Sequence, residues 1–168
     1  MYPVNYIEKG YGQHAAVQAA GHALVETSGQ WLADDPVAVQ AIMDAYTLAH
    51  AIAYRQAESL AIAKGLRDQA VAGISAGEMA GWPIKRAEAL AFLADPVNAV
   101  TPMLTAEAAA RGITVVALVG KVGGNSARFG ALEAAISGAD GAHRDALGAL
   151  KTFEDVAAYD LSAGWPAF

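Results

Sequence analysis

The stretch Gly73-Ile-Ser75-Ala-Gly77 has the G-x-S-x-G spacing of a nucleophile elbow. There a serine stands on a strained strand-to-helix turn, a histidine takes its proton, and backbone N–H groups hold the oxyanion. The chemistry would be that of a serine hydrolase or acyltransferase. The flanking residues argue otherwise. Ala57 to Ala72 is a run of helix formers with few β-branched residues, so a helix and not a strand is expected before the serine. The one histidine downstream is His143, and no second stretch supplies an oxyanion loop. Ser75-Ala-Gly-Glu78 also has the S-x-x-E spacing of a capping box. Capping is the preferred reading, and Ser75 as a nucleophile is the remote alternative.

The other candidates are weaker. Gly120-Lys-Val-Gly-Gly-Asn-Ser126 follows an apolar run, but its lysine comes directly after the first glycine, out of place for a phosphate-binding loop. His14, His22, His50 and His143 are not in H-E-x-x-H or E-x-x-H spacing, and there is no cysteine. His50, Tyr54 and Glu58 share one helix face and read as a polar patch. No catalytic residue, cofactor site or metal site is therefore expected. Trp31, Trp82 and Trp165 each stand beside Gly, Pro or a turn, where they plug the ends of a core. The alternative is that Trp82 and Trp165 anchor a partner, since tryptophan is common at interface hot spots.

The elements that position these residues can be read in order. Tyr2 to Ile7 suits a short extended segment, Gly12 to His22 a short helix, and Leu24 to Leu32 a hairpin turning at Ser28-Gly29. Residues 1–35 are thus expected to form a small α+β module, and 36–168 a helical domain. Asp34-Asp35-Pro36 begins the helical part with a capping aspartate and a proline. From there to Gly73 the spacing is helical. Val39, Ile42, Met43, Tyr46 and Leu60 lie near one meridian, and Leu48, Ile52, Ile62 and Leu66 near the opposite one. Either one helix is sandwiched between two partners, or it breaks near Thr47 or Gly65. Gly81-Trp-Pro83 reads as a helix stop, with a new helix over Ile84 to Leu93, and Leu161-Ser-Ala-Gly-Trp-Pro166 echoes it. Asp95-Pro96 and Thr101-Pro102 each pair an N-cap type with proline. Val115, Val122, Phe129, Ile136, His143 and Leu150 are spaced seven apart and describe a seam against another helix. A hairpin within the chain is preferred to a seam between chains. The glycines at 120, 123, 124 and 138 put the continuity of helix 114–150 in question.

Composition bounds the class. About a quarter of the 168 residues are alanine, aromatics are 8% and the net charge is −6, which describes helices packed in thin layers. A nucleic-acid binder would carry a basic patch, and none is present. No apolar run reaches the length of a membrane span, and the first ten residues lack the pattern of a signal peptide. The fold class expected is mainly α: helical hairpins or a bundle with long helices, plus the small N-terminal helix-and-hairpin module.

Asp34-Asp-Pro-Val-Ala-Val-Gln-Ala-Ile-Met-Asp-Ala-Tyr46, Gly73-Ile-Ser-Ala-Gly-Glu-Met-Ala-Gly-Trp-Pro-Ile-Lys-Arg-Ala-Glu-Ala-Leu90, Glu107-Ala-Ala-Ala-Arg-Gly-Ile-Thr114 and Leu161-Ser-Ala-Gly-Trp-Pro166 resemble segments of small alanine-rich proteins. Tailed bacteriophages and prophages encode that group near their tail-fibre genes. The likeness touches most of the chain, best after Asp34, and rests on structural motifs. The chain departs from the group at Gly120 to Ser126, where related segments have fewer glycines. The resemblance implies a tail-fibre-associated protein, either a virion component or a chaperone for fibre assembly, with no catalytic residues. It implies a tail-fibre or baseplate protein as partner, and a place in the virion tail after assembly in the host cytoplasm. A homotrimer would suit a fibre partner, although no residue dictates three chains. Trp82, Trp165, Phe168, Leu48, Ile52, Ile62 and Leu66 are the candidate partner interface.

Overall fold

The computed structural model describes residues 1–10 and 12–167. Among these the chain is mainly α, with seven helices and a small antiparallel sheet near its start. It divides into two compact units, Met1–Gly65 with Gly138–Trp165, and Leu66–Ser137 with the chain from Pro166 on.

The first unit begins with β1 (Tyr2–Pro3), α1 (Gln13–Ala19), β2 (Leu24–Thr27) and β3 (Gln30–Ala33). The sheet order is β1-β3-β2, with Tyr2 opposite Ala33 and Glu26 opposite Trp31. Ser28 and Gly29 both have positive φ, 53° and 78°, as the tight turn between two twisted strands demands. Asp35 then starts α2 (Pro36–Ala45), its carboxylate accepting from the Val37 and Ala38 N–H groups. Val17, Leu24, Ala33, Val39 and Met43 form one core. Val39 and Met43 come from α2, so a boundary at residue 35 would cut through this core. The division at 1–35 and 36–168 therefore differs from the observed units.

Lys9 closes α2 at its other end, donating from Nζ to the carbonyls of Met43 at 2.8 Å, Asp44 at 3.1 Å and Tyr46 at 3.4 Å. Tyr46 leaves the helix with extended backbone, and a fresh helix, α3 (Leu48–Ala70), begins behind Thr47. Of the two breaks considered, the one near Thr47 is real, and α3 runs on through Gly65. The His50 ring accepts the Thr47 N–H at 3.0 Å, which fixes this start. A second core gathers Tyr46, Ala51 and Val156, with Ala16, Leu48, Ile52, Leu150 and Phe153 against it. Val156 lies on α7 (Phe153–Ala158). Burial, reinforced by Tyr54, pushes the Tyr46 hydroxyl up to about 12. Gly12 is confined here: its φ is 83°, and a Cβ would sit 2.5 Å from the Tyr54 ring and 2.7 Å from the Tyr46 hydroxyl.

The second unit holds α4 (Ala76–Ala94), α5 (Pro102–Ala110), the first part of α6 (Val115–Ala149) and the end of α3. Its core is Ala89, Leu104, Ala108, Leu118 and Val119. Gly81-Trp-Pro83 does not stop a helix: α4 runs through it. A proline inside a helix costs about 3 kcal/mol. Contacts on both sides of Pro83 offset that. A Cβ on Gly81 would lie 3.4 Å from the Met103 tip, Trp82 packs edge-on to Phe129, and Lys85 pairs with Glu107 at 2.6 Å. Asp95 ends α4 rather than beginning a helix, and its carboxylate folds the next turn by accepting from Val97 and Asn98 N–H.

Thr101 stands at the start of α5 but spends its hydroxyl on Thr105. The cap comes from α4: Glu88, 9% exposed, accepts from the N–H groups of Met103 at 3.1 Å and Leu104 at 2.8 Å. A carboxylate at a helix start satisfies orphan donors and meets the positive end of the dipole. The helix α6 is continuous over 35 residues. Most of its glycines have no neighbour within 4 Å of where a Cβ would be, so no steric conflict requires them. No described helix is long and apolar enough to cross a membrane.

Two predictions test this packing. Replacing Glu88 with Ala should lower unfolding free energy by about 2 kcal/mol, the worth of hydrogen bonds to a charged group, as read by urea denaturation. A loss under about 0.5 kcal/mol would show that α5 needs no cap from α4. The hydrogen bond from Lys85, with Arg111 beside it, holds the Glu107 carboxyl below the usual range, and Arg67 with Ser137 does the same for Glu133. Carboxyls lowered in the folded state contribute stability above the unfolded value, about 4.3, and lose it as pH falls through the folded value. The melting temperature should fall on acidification below about pH 5, and fall less in Glu107→Gln, as followed by circular dichroism.

Candidate functional site

The residues that could do chemistry are placed first. Ser75 is the N-cap of α4, its hydroxyl accepting from the Glu78 N–H at 3.1 Å. It follows α3 and a turn, so the strand an elbow needs is not there. Gly120 to Ser126 lies inside α6 and forms no loop. His14 meets the edge of Trp31, which Tyr6 covers at 4.2 Å. His22 lies 3.5 Å from Asp34, and His50 bonds Thr47. No group of three metal-ligating side chains occurs among the described residues. An open groove of about 440 Å³ on the first unit is lined by Val4, Pro36, Val37 and Gln40, with Asp44 tied to Gln40 as its one carboxylate.

His143 belongs to a buried polar cluster in the first unit. Its Nε2 lies 2.9 Å from the Ala163 carbonyl, which can only accept, so Nε2 carries a proton. Its Nδ1 meets the Tyr159 hydroxyl at 2.9 Å, and Trp165 stacks on its ring. Buried Arg55 donates to the Tyr159 carbonyl and to Glu58, and Ser59 donates to Asp140 at 2.8 Å. Arg55 and His143 hold segment 159–165 in place, while the Ser59–Asp140 bond joins α3 to α6. Both ring nitrogens of His143 are occupied by that segment.

The expected interface residues are mostly tucked in. Leu48 and Ile52 pack against the Tyr46 core. Ile62 and Leu66 are half-buried. Trp82 rests on Phe129, with ring centres 5.6 Å apart. Trp165 donates from Nε1 to the Leu161 carbonyl. Phe168 lies outside the described residues.

In the second unit, exposed apolar side chains gather on the outer side of α4 and the turn that follows; Tyr2, Ile7, Val37 and Leu60 are exposed in the first unit. Leu90 is 57% exposed and Leu93 64%; Val97 reaches 88% and Val100 81%. Ile84 and Val116 are also open in this unit. At about 100° per residue, Leu90 and Leu93 fall on the far side of the helix from Glu88. The helix thus turns a carboxylate inward and two leucines outward. Sequence reading missed this face because it split α4 at Pro83 and followed the aromatics. The signal was present as Pro83, Ala87, Leu90, Ala94 and Val97, spaced alternately four and three apart. The hydrogen bond from Asn98, with backbone donors beside it, holds the Asp95 carboxyl below its usual range at the end of this face.

The seven-residue seam of α6 is unevenly covered. Ile136 and His143 are buried, Val115, Val122 and Leu150 half-buried, and Phe129 is 41% exposed. A buried phenylalanine costs about 3–5 kcal/mol to truncate. Phe129→Ala should cost only about 1–2 kcal/mol, chiefly the edge-on pairing with Trp82, as measured by denaturant titration alongside Trp82→Ala and the double variant. No family model, curated protein or solved structure matches this chain.

Proposed function

We propose that this chain is a non-enzymatic protein of a tailed bacteriophage, a virion component that holds a tail-fibre or baseplate protein. The observation that carries the adhesive part is the outer face of α4, with Leu90 and Leu93 more than half exposed on the side of the helix away from buried Glu88. Contiguous apolar side chains in water favour a protein partner. The phage context comes from the resemblance of the Asp34–Tyr46, Gly73–Leu90, Glu107–Thr114 and Leu161–Pro166 segments to tail-fibre-associated proteins. The Ser75 hydroxyl, which caps α4 after a helix and a turn rather than a strand, and the occupied ring of His143 favour this reading over a serine hydrolase.

Mass spectrometry of purified particles tests it. The chain should be present in fixed ratio to the fibre protein. Absence from particles, with recovery alongside unassembled fibre, would replace this reading with an assembly chaperone. Labelling of Ser75 by a fluorophosphonate probe would overturn both.

A further inference from the structure

We propose that residues 159–165 are a self-ligand: they close a peptide-binding cleft on α3 and α6 of the first unit, and open to admit a loop of the same form from a partner protein. The inference stands apart from the outer face of α4 and from the phage reading.

What the cleft recognises is visible, because the chain's own segment fills it. Buried Arg55 on α3 donates to the Tyr159 carbonyl, and buried His143 on α6 donates from Nε2 to the Ala163 carbonyl. Every peptide carries carbonyls, so these two donors hold a chain without choosing its sequence. The choice is made by side chains and backbone shape. Leu161, in sequence between the two anchored carbonyls, is buried. Gly164 has a φ of 80°, where a larger residue would be strained. Trp165 stacks on the His143 ring with centres 5.1 Å apart, and the Tyr159 hydroxyl meets Nδ1 of the same ring. The ligand is therefore a loop of the pattern Tyr-x-Leu-x-x-Gly-Trp.

The segment is also suited to leave. It has no helix or strand of its own. It carries internal bonds that keep its shape on or off the cleft. Ser162 donates from N at 2.8 Å and from Oγ at 2.7 Å to the Asp160 carboxylate. Trp165 donates from Nε1 to the Leu161 carbonyl at 2.7 Å. A segment held by side chains alone opens at lower cost than the helices beneath it. While tethered it competes with an outside loop at high effective concentration, so the closed form is the resting one. An outside loop then binds only in proportion to the open fraction.

A fluorescein-labelled peptide of residues 159–165, titrated against the full chain and read by anisotropy, tests the cleft. Binding to the unaltered chain should be weak. Trp165→Ala loosens the chain's own loop and leaves Arg55 and His143 in place, so the peptide should bind roughly tenfold or more tighter. Leu161→Ala loosens the loop in a second way and should give a similar gain. Adding His143→Ala to either variant, or titrating the Gly164→Val peptide, should remove the gain. Circular dichroism checks that each variant is folded. No gain in a folded Trp165→Ala or Leu161→Ala chain would overturn the proposal, as would a gain that survives both the His143 change and the altered peptide.

Discussion

Glu88 caps a helix that is not its own, and this sets the orientation of α4. With its carboxylate on the Met103 and Leu104 N–H groups, the rotation of α4 about its axis is fixed. Gly81, Lys85 and Ala89 then also face inward, against the Met103 tip, Glu107 and the core. Leu90 and Leu93 have nowhere to go but out. Turning the helix to hide them would strand two backbone donors of α5, bury or break the Lys85–Glu107 pair, and separate Trp82 from Phe129. Burying two leucines is worth about 1.5–3 kcal/mol each, which the losses together exceed.

The first unit uses polar side chains in a different way. Lys9 ties residues near the start of the chain to the end of α2, and buried Gln13 bonds Lys9 N–H and the Ile7 carbonyl. Arg55 and His143 hold segment 159–165, which has no helix or strand of its own. Backbone groups that lack a regular ladder still need partners, and here long side chains supply them. In an alanine-rich chain with thin apolar layers, such side-chain ties fix segments that burial alone would leave loose.

Local signals in the sequence were legible where a few neighbouring residues decide the outcome. The Ser28-Gly29 turn, the Asp35 and Ser75 caps, and the mainly α class with its small hairpin module could be read directly. What could not be read was decided at a distance. Pro83 looks like a stop until Gly81, Trp82 and Lys85 are seen bound to α5 and α6. Thr101 looks like a cap, but the acceptor arrives from Glu88, thirteen residues earlier. The division into units threads through α3 and α6, and no composition shift marks it. The exposed apolar face was hidden for the same reason: its period was visible, but only the capping carboxylate says which side of α4 is the inside.

A face fixed in this manner is suited to binding. Association costs the ordering of side chains and loops as well as the loss of free motion. Leu90 and Leu93 project from a helix already locked on its other side. The turn beyond them is held by three hydrogen bonds to the Asp95 carboxylate, so Val97 starts from a set position. Little further ordering is needed when a partner arrives, and a modest apolar area can then give useful affinity. The interior of the second unit and its apolar exterior are therefore one design: the carboxylate that satisfies α5 is what turns the leucines outward.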